Sequence, residues 1–201
     1  MMSVTWVLGT WCLLVSLSFI WPQVWRVFNE DSTHGLSTLG NLYSLIGSIL
    51  WMTYGVFKHR PPIYISNFSF LVAGSLICWQ LARHKKMARS HILAVYIIGI
   101  LIAFAAHSVS VATVGWVAIV VSTSGILPQT IHVINTHSLH GISVVSYRIT
   151  LTSSISWLIF GLTVHDPIVA LPNLIIGPCV AYILIKAQRW HSAARSVEAT
   201  L

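Results

Sequence analysis

The chain reads as seven apolar stretches separated by short polar punctuation. Runs rich in Leu, Ile, Val, Trp and Phe cover residues 4–25, 38–57, 62–82, 92–106, 111–134, 144–163 and 167–187. A helix needs roughly 20 apolar residues to cross the hydrocarbon, so each stretch predicts a membrane span, the fourth a short one. Composition agrees: 56% of the 201 residues are hydrophobic and only 7% are charged, with a mean hydropathy of +0.80, more apolar than a soluble domain. No basic residue precedes the first apolar run, so Met1–Phe28 is expected to be a retained span rather than a cleaved leader.

The punctuation repeats. Pro22, Gln23, Val27, Asn29, His34, Gly35, Ser37, Ser48, Trp51, Gly55, Pro61 and Asn67 recur as Pro128, Gln129, Val133, Asn135, His140, Gly141, Ser143, Ser154, Trp157, Gly161, Pro167 and Asn173, offset by 106 residues throughout. The chain is an internal duplication. Three spans per copy is an odd number, so two copies joined directly would lie upside down relative to each other. One extra crossing restores the orientation, which accounts for the unpaired fourth span. The predicted architecture is an all-α membrane protein of seven transmembrane helices in a 3+1+3 arrangement of two parallel three-helix repeats. Its parts are a first repeat (1–85), a linker helix (86–110), a second repeat (111–190) and a tail (191–201).

The formal charge of +7 matters through its placement. With seven crossings, the loops on the N-terminal side carry only Lys58 and Arg60, and the other side holds Arg26, Arg83, Lys85, Lys86, Arg89, Arg148, Lys186, Arg189 and Arg195. The positive-inside rule then puts the N-terminus outside and the C-terminus in the cytoplasm. The basic run Arg83–Arg89 reads as a topology signal and not as a nucleic-acid surface. The expected setting is the plasma membrane, with the lipid bilayer as partner and homo-oligomerisation left open. Cys12, Cys78 and Cys179 lie within spans, form no spaced motif and read as small fillers.

Candidate chemistry concentrates at one depth. Trp51 lies about six residues from the outer end of span two and Asn67 about five from the outer end of span three, roughly 8–9 Å below the surface. The duplication places Trp157 and Asn173 at the same level. A buried amide needs a partner or a wet cavity, and an indole offers an apolar face to the C–H side of a sugar ring while asparagine donates to and accepts from hydroxyls. Two such pairs suit a small polyhydroxylated solute held between the repeats. The competing readings are the interfacial aromatic belt, to which Trp6, Trp11, Trp79, Trp116 and Trp190 are assigned, and interhelical glue for the two asparagines. Near the opposite end, Pro22 and Pro128 each strip a helix of one donor and predict bends. Ser37 is expected to cap the second helix, and Pro61–Pro62 to make a short outer turn.

Pro22–Gln23 and Pro128–Gln129 resemble the paired signature of PQ-loop proteins. The run from Leu50 through Trp51 and Tyr54 to Gly55, followed by Pro61–Asn67, resembles the SWEET and SemiSWEET sugar transporters across almost the whole chain. That resemblance implies facilitative transport of a small neutral mono- or disaccharide by alternating access. It implies that Trp51, Asn67, Trp157 and Asn173 line the substrate cavity and that Pro22 and Pro128, with Gln23 and Gln129, form the hinges. It also implies an outer gate at Tyr54, whose counterpart is Phe160, and at Lys58, Arg60 and Asp166. There an ion pair from Lys58 or Arg60 to Asp166 competes with a helix-cap role for Asp166.

The only acids, Glu30, Asp31, Asp166 and Glu198, fall in loops or the tail. Coupling to protons or to cationic solutes needs a carboxylate within the membrane, so a uniporter is expected. His132, His137 and His140 lack acidic or thiol partners for a metal, and no cofactor or enzyme constellation is found. Arg148, whose counterpart is Leu42, is assigned to headgroup snorkelling, with an anionic solute as alternative. The other functions left open are transport of another neutral solute, such as an amino acid or vitamin, and a non-transporting receptor or scaffold.

Overall fold

The computed structural model describes residues 4–33, 36–136, 139 and 142–198. The repeat pairs His34–Gly35 and His140–Gly141, and His137 with them, lie outside the described residues. The chain is helical throughout these segments: α1 (Val4–Asn29), α2 (Thr38–Phe57), α3 (Pro61–Arg83), α4 (Arg89–Val109), α5 (Val111–Ser124), α6 (Ile126–Asn135), α7 (Val144–Thr163) and α8 (Pro167–Glu198). The duplication holds to the residue at α2 and α7, and at the starts of α3 and α8.

Five stretches are long and apolar enough to cross a membrane: Val4–Asn29, Pro61–Arg83, Arg89–Val109, Val111–Asn135 and Pro167–Ser192. α2 and α7 have the length but more hydroxyl and amide groups. They are also the helices that carry Trp51 and Trp157.

Residues up to Ser122 form one compact unit and those from Thr123 a second. In the first, α3 is central, with α1 on one side and α2 on the other, and α4 packs on α2 and α3. Trp21 Nε1 donates to Ser69 Oγ at 2.9 Å, tying α1 to α3, and the Ser75 and Tyr96 hydroxyls meet at 2.7 Å, tying α3 to α4. In the second unit α8 is central, with α7 and α6 against it. Each unit has its own core at the end away from the α2–α3 or α7–α8 turn. Val24, Ala73, Ile77 and Leu81 fill the first, and Val133, Leu139, Ile183 and Ala187 the second.

Matched local chemistry sets the matched helix ends. Ser37 Oγ accepts from Gly40 N–H at 3.0 Å and Ser143 Oγ from Ser146 N–H at 3.3 Å. Each therefore satisfies one of the orphan donors of a first turn. Ser143→Ala is expected to lower stability by about 1 kcal/mol, read as a reduced melting temperature in detergent; no change would remove the cap from the account.

At the other end, Arg60 N–H donates to Gly55 C=O at 2.8 Å and His59 N–H to Val56 C=O at 3.0 Å. Asp166 and His165 repeat this on Gly161 and Leu162, at 2.9 and 3.2 Å. These are Schellman closures. They place His59 and His165 at φ of 51° and 55°, a region usually left to glycine. Pro61 and Pro167 then start the next helices.

The span expected over 111–134 is interrupted. Pro128 has no N–H for the Ser124 carbonyl, and the helix parts one residue later, at Gly125. α1 instead stays continuous across Pro22. Of the two prolines, the second is thus the one beside an opening of the helix ladder, at Gly125, whose backbone stays α-helical. α4 exceeds its expected 92–106 at both ends because Arg89, Ser90 and His107 continue the helix in polar residues.

The ends away from the α2–α3 and α7–α8 turns differ between units. Asp31 Oδ1 accepts from Gln80 Nε2 at 3.2 Å, lies 3.3 Å from His84 Nε2 and 3.7 Å from Arg83 Nη1. The hydrogen bond with His84 leads in holding the Asp31 carboxyl below its ordinary value, followed by those of Gln80 and the charge of Arg83. A depressed folded value means the clamp is complete above the unfolded carboxylate range, about pH 3.9, and is lost as pH falls through the folded value. Asp31→Asn should therefore flatten the acid limb of the melting-temperature profile between pH 5 and 3; an unaltered limb would show that Asp31 contributes nothing.

The counterpart of Gln80 is Lys186. Its ammonium donates to the carbonyls of Val133 at 2.6 Å, Ile134 at 3.0 Å and Thr136 at 3.3 Å, capping the end of α6.

Candidate functional site

The half-site of the first unit is built outward from Gly55. A Cβ at that glycine would stand 2.8 Å from Tyr64 N and 3.0 Å from Ile63 Cβ, so α2 and α3 touch here almost backbone to backbone. Residues four positions deeper on each helix lie one turn, about 6 Å, farther into the membrane and on the same facing stripes. On α2 that residue is Trp51, and from Ile63 on α3 it is Asn67. The structure thus brings these two to one level of one helix pair.

The second unit repeats the construction. A Cβ at Gly161 would stand 2.6 Å from Ala170 N and 2.9 Å from its Cα, and one turn deeper lie Trp157 on α7 and Asn173 on α8.

Each indole is buttressed from its own helix. The Trp51 and Tyr54 rings meet edge to face at 5.8 Å and 87°, and Trp157 and Phe160 at 5.6 Å and 86°. Tyr54 and Phe160 are buried, at 0% and 2% exposure, while both indoles stay partly open. At both positions a buried ring thus supports a tryptophan from its own helix. A ring held on its edge leaves a face available for stacking.

Both asparagines are partly buried and fixed in the same way. Asn67 Nδ2 donates to Ile63 C=O at 2.8 Å and Asn173 Nδ2 to Val169 C=O at 2.9 Å. One amide proton is spent on the helix. The carboxamide is thereby oriented by its own helix. α8 is looser than α3 at this level: Pro172 and Pro178 interrupt its ladder where α3 has Ser66 and Val72. Ser154 Oγ donates to the Asn173 carbonyl at 3.4 Å, linking α7 to α8 at this level.

Asp166 is buried, and its Oδ1 accepts from Ile168 N–H at 3.2 Å, so the cap reading of this residue is realised. Its backbone carbonyl also accepts from Val169 and Ala170. Lys58 is exposed and stands 6.0 Å from the Tyr54 ring centroid; Arg60 is half-buried. Pro22 is exposed on α1 and Gln23 half-buried. Pro128 is exposed next to the Gly125 break, and the Gln129 side chain hydrogen-bonds the Tyr147 hydroxyl, joining α6 to α7.

Arg148 is exposed on α7 and lies beside Gln188 of α8. With the Gln188 amide turned so that its oxygen faces the guanidinium, Nη2 and Nε donate to that oxygen at 3.0 and 3.2 Å, a fork between α7 and α8. The counterparts are Leu42 and Ala82, so one polar pair replaces one apolar pair. The glycine contacts and the histidines at positive φ are further residues that sequence reasoning missed. Their signal was present as Gly55 and Gly161 in the repeat and as the second residue before Pro61 and Pro167.

Matched helix pairs, apolar spans and twin Trp–Asn levels define a multi-pass α-helical membrane protein made from a duplicated repeat. The family model described as "PQ loop repeat" matches residues 4–64, and that described as "Sugar efflux transporter for intercellular exchange" matches residues 107–185. Each match falls on one copy of the duplication, so both halves of the chain resemble PQ-loop/MtN3 (SWEET) proteins.

Among curated relatives, the bidirectional sugar transporter SWEET13 of Oryza sativa subsp. japonica is 28% identical over 170 residues, covering 77% of this chain and 57% of the relative. SWEET11 of the same plant, also a bidirectional sugar transporter, is 29% identical over 165 residues, covering 74% of this chain and 53% of the relative. The chain thus matches a little over half the length of these relatives. A solved structure described as a eukaryotic SWEET transporter at 3.7 Å resolution superposes with a TM-score of 0.75 at 19% identity, over 94% of this chain and 100% of that one. That likeness establishes the fold.

Proposed function

We propose that the protein is a facilitative uniporter of a small neutral sugar, and that Trp51, Asn67, Trp157 and Asn173 bind the solute. The observation that carries this reading is the recurrence, in two separately packed units, of a buttressed indole and a pre-oriented carboxamide one turn below a glycine contact. The two rice relatives, both bidirectional sugar transporters, support a sugar and flux in both directions. Pro22 and Pro128, with Gln23 and Gln129, serve as hinges, and Gly125 gives the second one its slack. Lys58, Arg60 and Asp166, with Tyr54 behind them, form the outer gate. The repeats run over 1–85 and 111–190 with the linker at 86–110. The N-terminus is outside and the C-terminus cytoplasmic in the plasma membrane, as the asymmetry of Lys and Arg favours.

The test is counterflow of labelled mono- and disaccharides in liposomes. The proposal expects saturable exchange in both directions that is indifferent to an imposed proton gradient, because no carboxylate lies at the level of the indoles. Binding without transfer would make the chain a receptor. Exchange of a neutral amino acid in place of sugar would move the substrate class.

A further inference from the structure

On the outward side of α3 in the first unit, two apolar grooves run along one ridge. The groove toward α1 has a volume of about 680 Å³ and is walled by Trp21, Pro22, Val24, Trp25, Phe28 and Leu76. The groove toward α4 has about 540 Å³ and is walled by Phe68, Leu71, Val72, Leu76, Trp79 and Tyr96 among others. Leu76 belongs to both, and Phe28 and Trp79 meet across the ridge with ring centroids 6.3 Å apart. Both grooves are almost free of polar lining, because the Ser75 and Tyr96 hydroxyls in the second are consumed by each other.

From Phe68 to Trp79 the α4-side groove spans eleven residues, about 16 Å, roughly half of the ~30 Å hydrocarbon. It is one leaflet deep. Trp79 stays 45% exposed toward its basic end, and Trp25, in the groove on the α1 side, 73%; indoles favour the headgroup level. Just beyond lies the turn Arg83–Arg89 between α3 and α4. Arg83 is occupied with Asp31 and Gln80, and Lys86 with the Thr33 carbonyl. Lys85, at φ 55°, and Arg89 are exposed, and among the described residues their side chains have no hydrogen bond or ion pair.

We propose that this ridge binds one anionic diacyl phospholipid of the leaflet on the Arg83–Arg89 side. It straddles Leu76 and Trp79 with one acyl chain in each groove and its phosphate on Lys85 and Arg89. Charge complementarity selects this occupant: a second apolar helix would fill a groove but leave the two cations unanswered, and a zwitterionic lipid would answer them only in part. The chain on the α1 side rests on Pro22, so the lipid touches the segment assigned as a hinge.

The experiment uses the full chain, purified from vesicles of equal parts phosphatidylglycerol and phosphatidylcholine and analysed by native mass spectrometry. Parent protein should retain one phosphatidylglycerol in preference to phosphatidylcholine. Lys85→Gln with Arg89→Gln should weaken retention about 30-fold, two juxtamembrane charges at roughly 1 kcal/mol each. Leu76→Trp, which fills both grooves and leaves the charges, should abolish retention without altering the melting temperature in lipid-free detergent. Equal retention of the two lipids, phosphatidylglycerol retention untouched by either change, or a dimer mass that Leu76→Trp abolishes would each overturn the proposal.

Discussion

Gly161→Ala is expected to be the most damaging single methyl in the protein. In an open helix interior, exchanging glycine for alanine favours the helix by about 1 kcal/mol. At Gly161 the new Cβ would stand 2.6 Å from Ala170 N and 2.9 Å from Ala170 Cα, and a backbone within a helix cannot step aside as a side-chain tip can. The pair α7–α8 must separate, which costs the packing of the second unit and outweighs the propensity gain, for a net loss of about 3 kcal/mol. Gly55→Ala, with its nearest atom at 2.8 Å, should show a smaller loss of the same sign. Gly125→Ala is the control, since nothing lies within 4 Å of that Cβ and its backbone is already α-helical. Melting in detergent should rank these variants with Gly161→Ala lowest and Gly125→Ala at or above the parent. A Gly161→Ala protein that melts with the parent would mean that the helices do not meet there.

The second large effect is on flux. Trp157→Ala removes the stacking face and also the ring that rests on Phe160 at 5.6 Å. Loss of such an anchor is worth about 2 kcal/mol, or roughly 30-fold. Trp157→Phe keeps an edge contact and a smaller face and should retain a substantial part of the exchange. The same order is expected at Trp51. If Trp157→Ala exchanges solute at the parental rate while its melting temperature falls, the indole is a packing element alone.

Much of this was legible in the sequence because its signals are short-range. Ser37 and Ser143 announce the starts of α2 and α7, and the prolines after their closing turns announce the next helices, so both helices match their expected bounds to the residue. The equal depth of Trp and Asn follows from counting along antiparallel neighbours.

What stayed hidden depends on tertiary approach or on polar residues that hydropathy discounts. The contacts at Gly55 and Gly161 exist only once α3 and α8 lie alongside. His59 and His165 adopt positive φ because the closing hydrogen bonds require it, and their residue type gives no hint. α8 runs eleven residues past the expected 187 because Gln188–Glu198 is polar yet meets no helix stop. Arg148 looked like a lone intramembrane charge because its partner, Gln188, sits beyond the end of the apolar run. Lys186 looked like a topology charge, and the carbonyls it caps belong to a helix more than fifty residues earlier.

The central claim is that the two repeats contribute equivalent halves to binding one solute. A double-mutant cycle on counterflow with Asn67→Ala, Asn173→Ala and the pair together tests it most directly. Each single change should slow exchange by a similar factor, and the double should be slowed by less than their product, because both carboxamides grip the same molecule. A silent change at either asparagine, or losses that multiply independently, would contradict it.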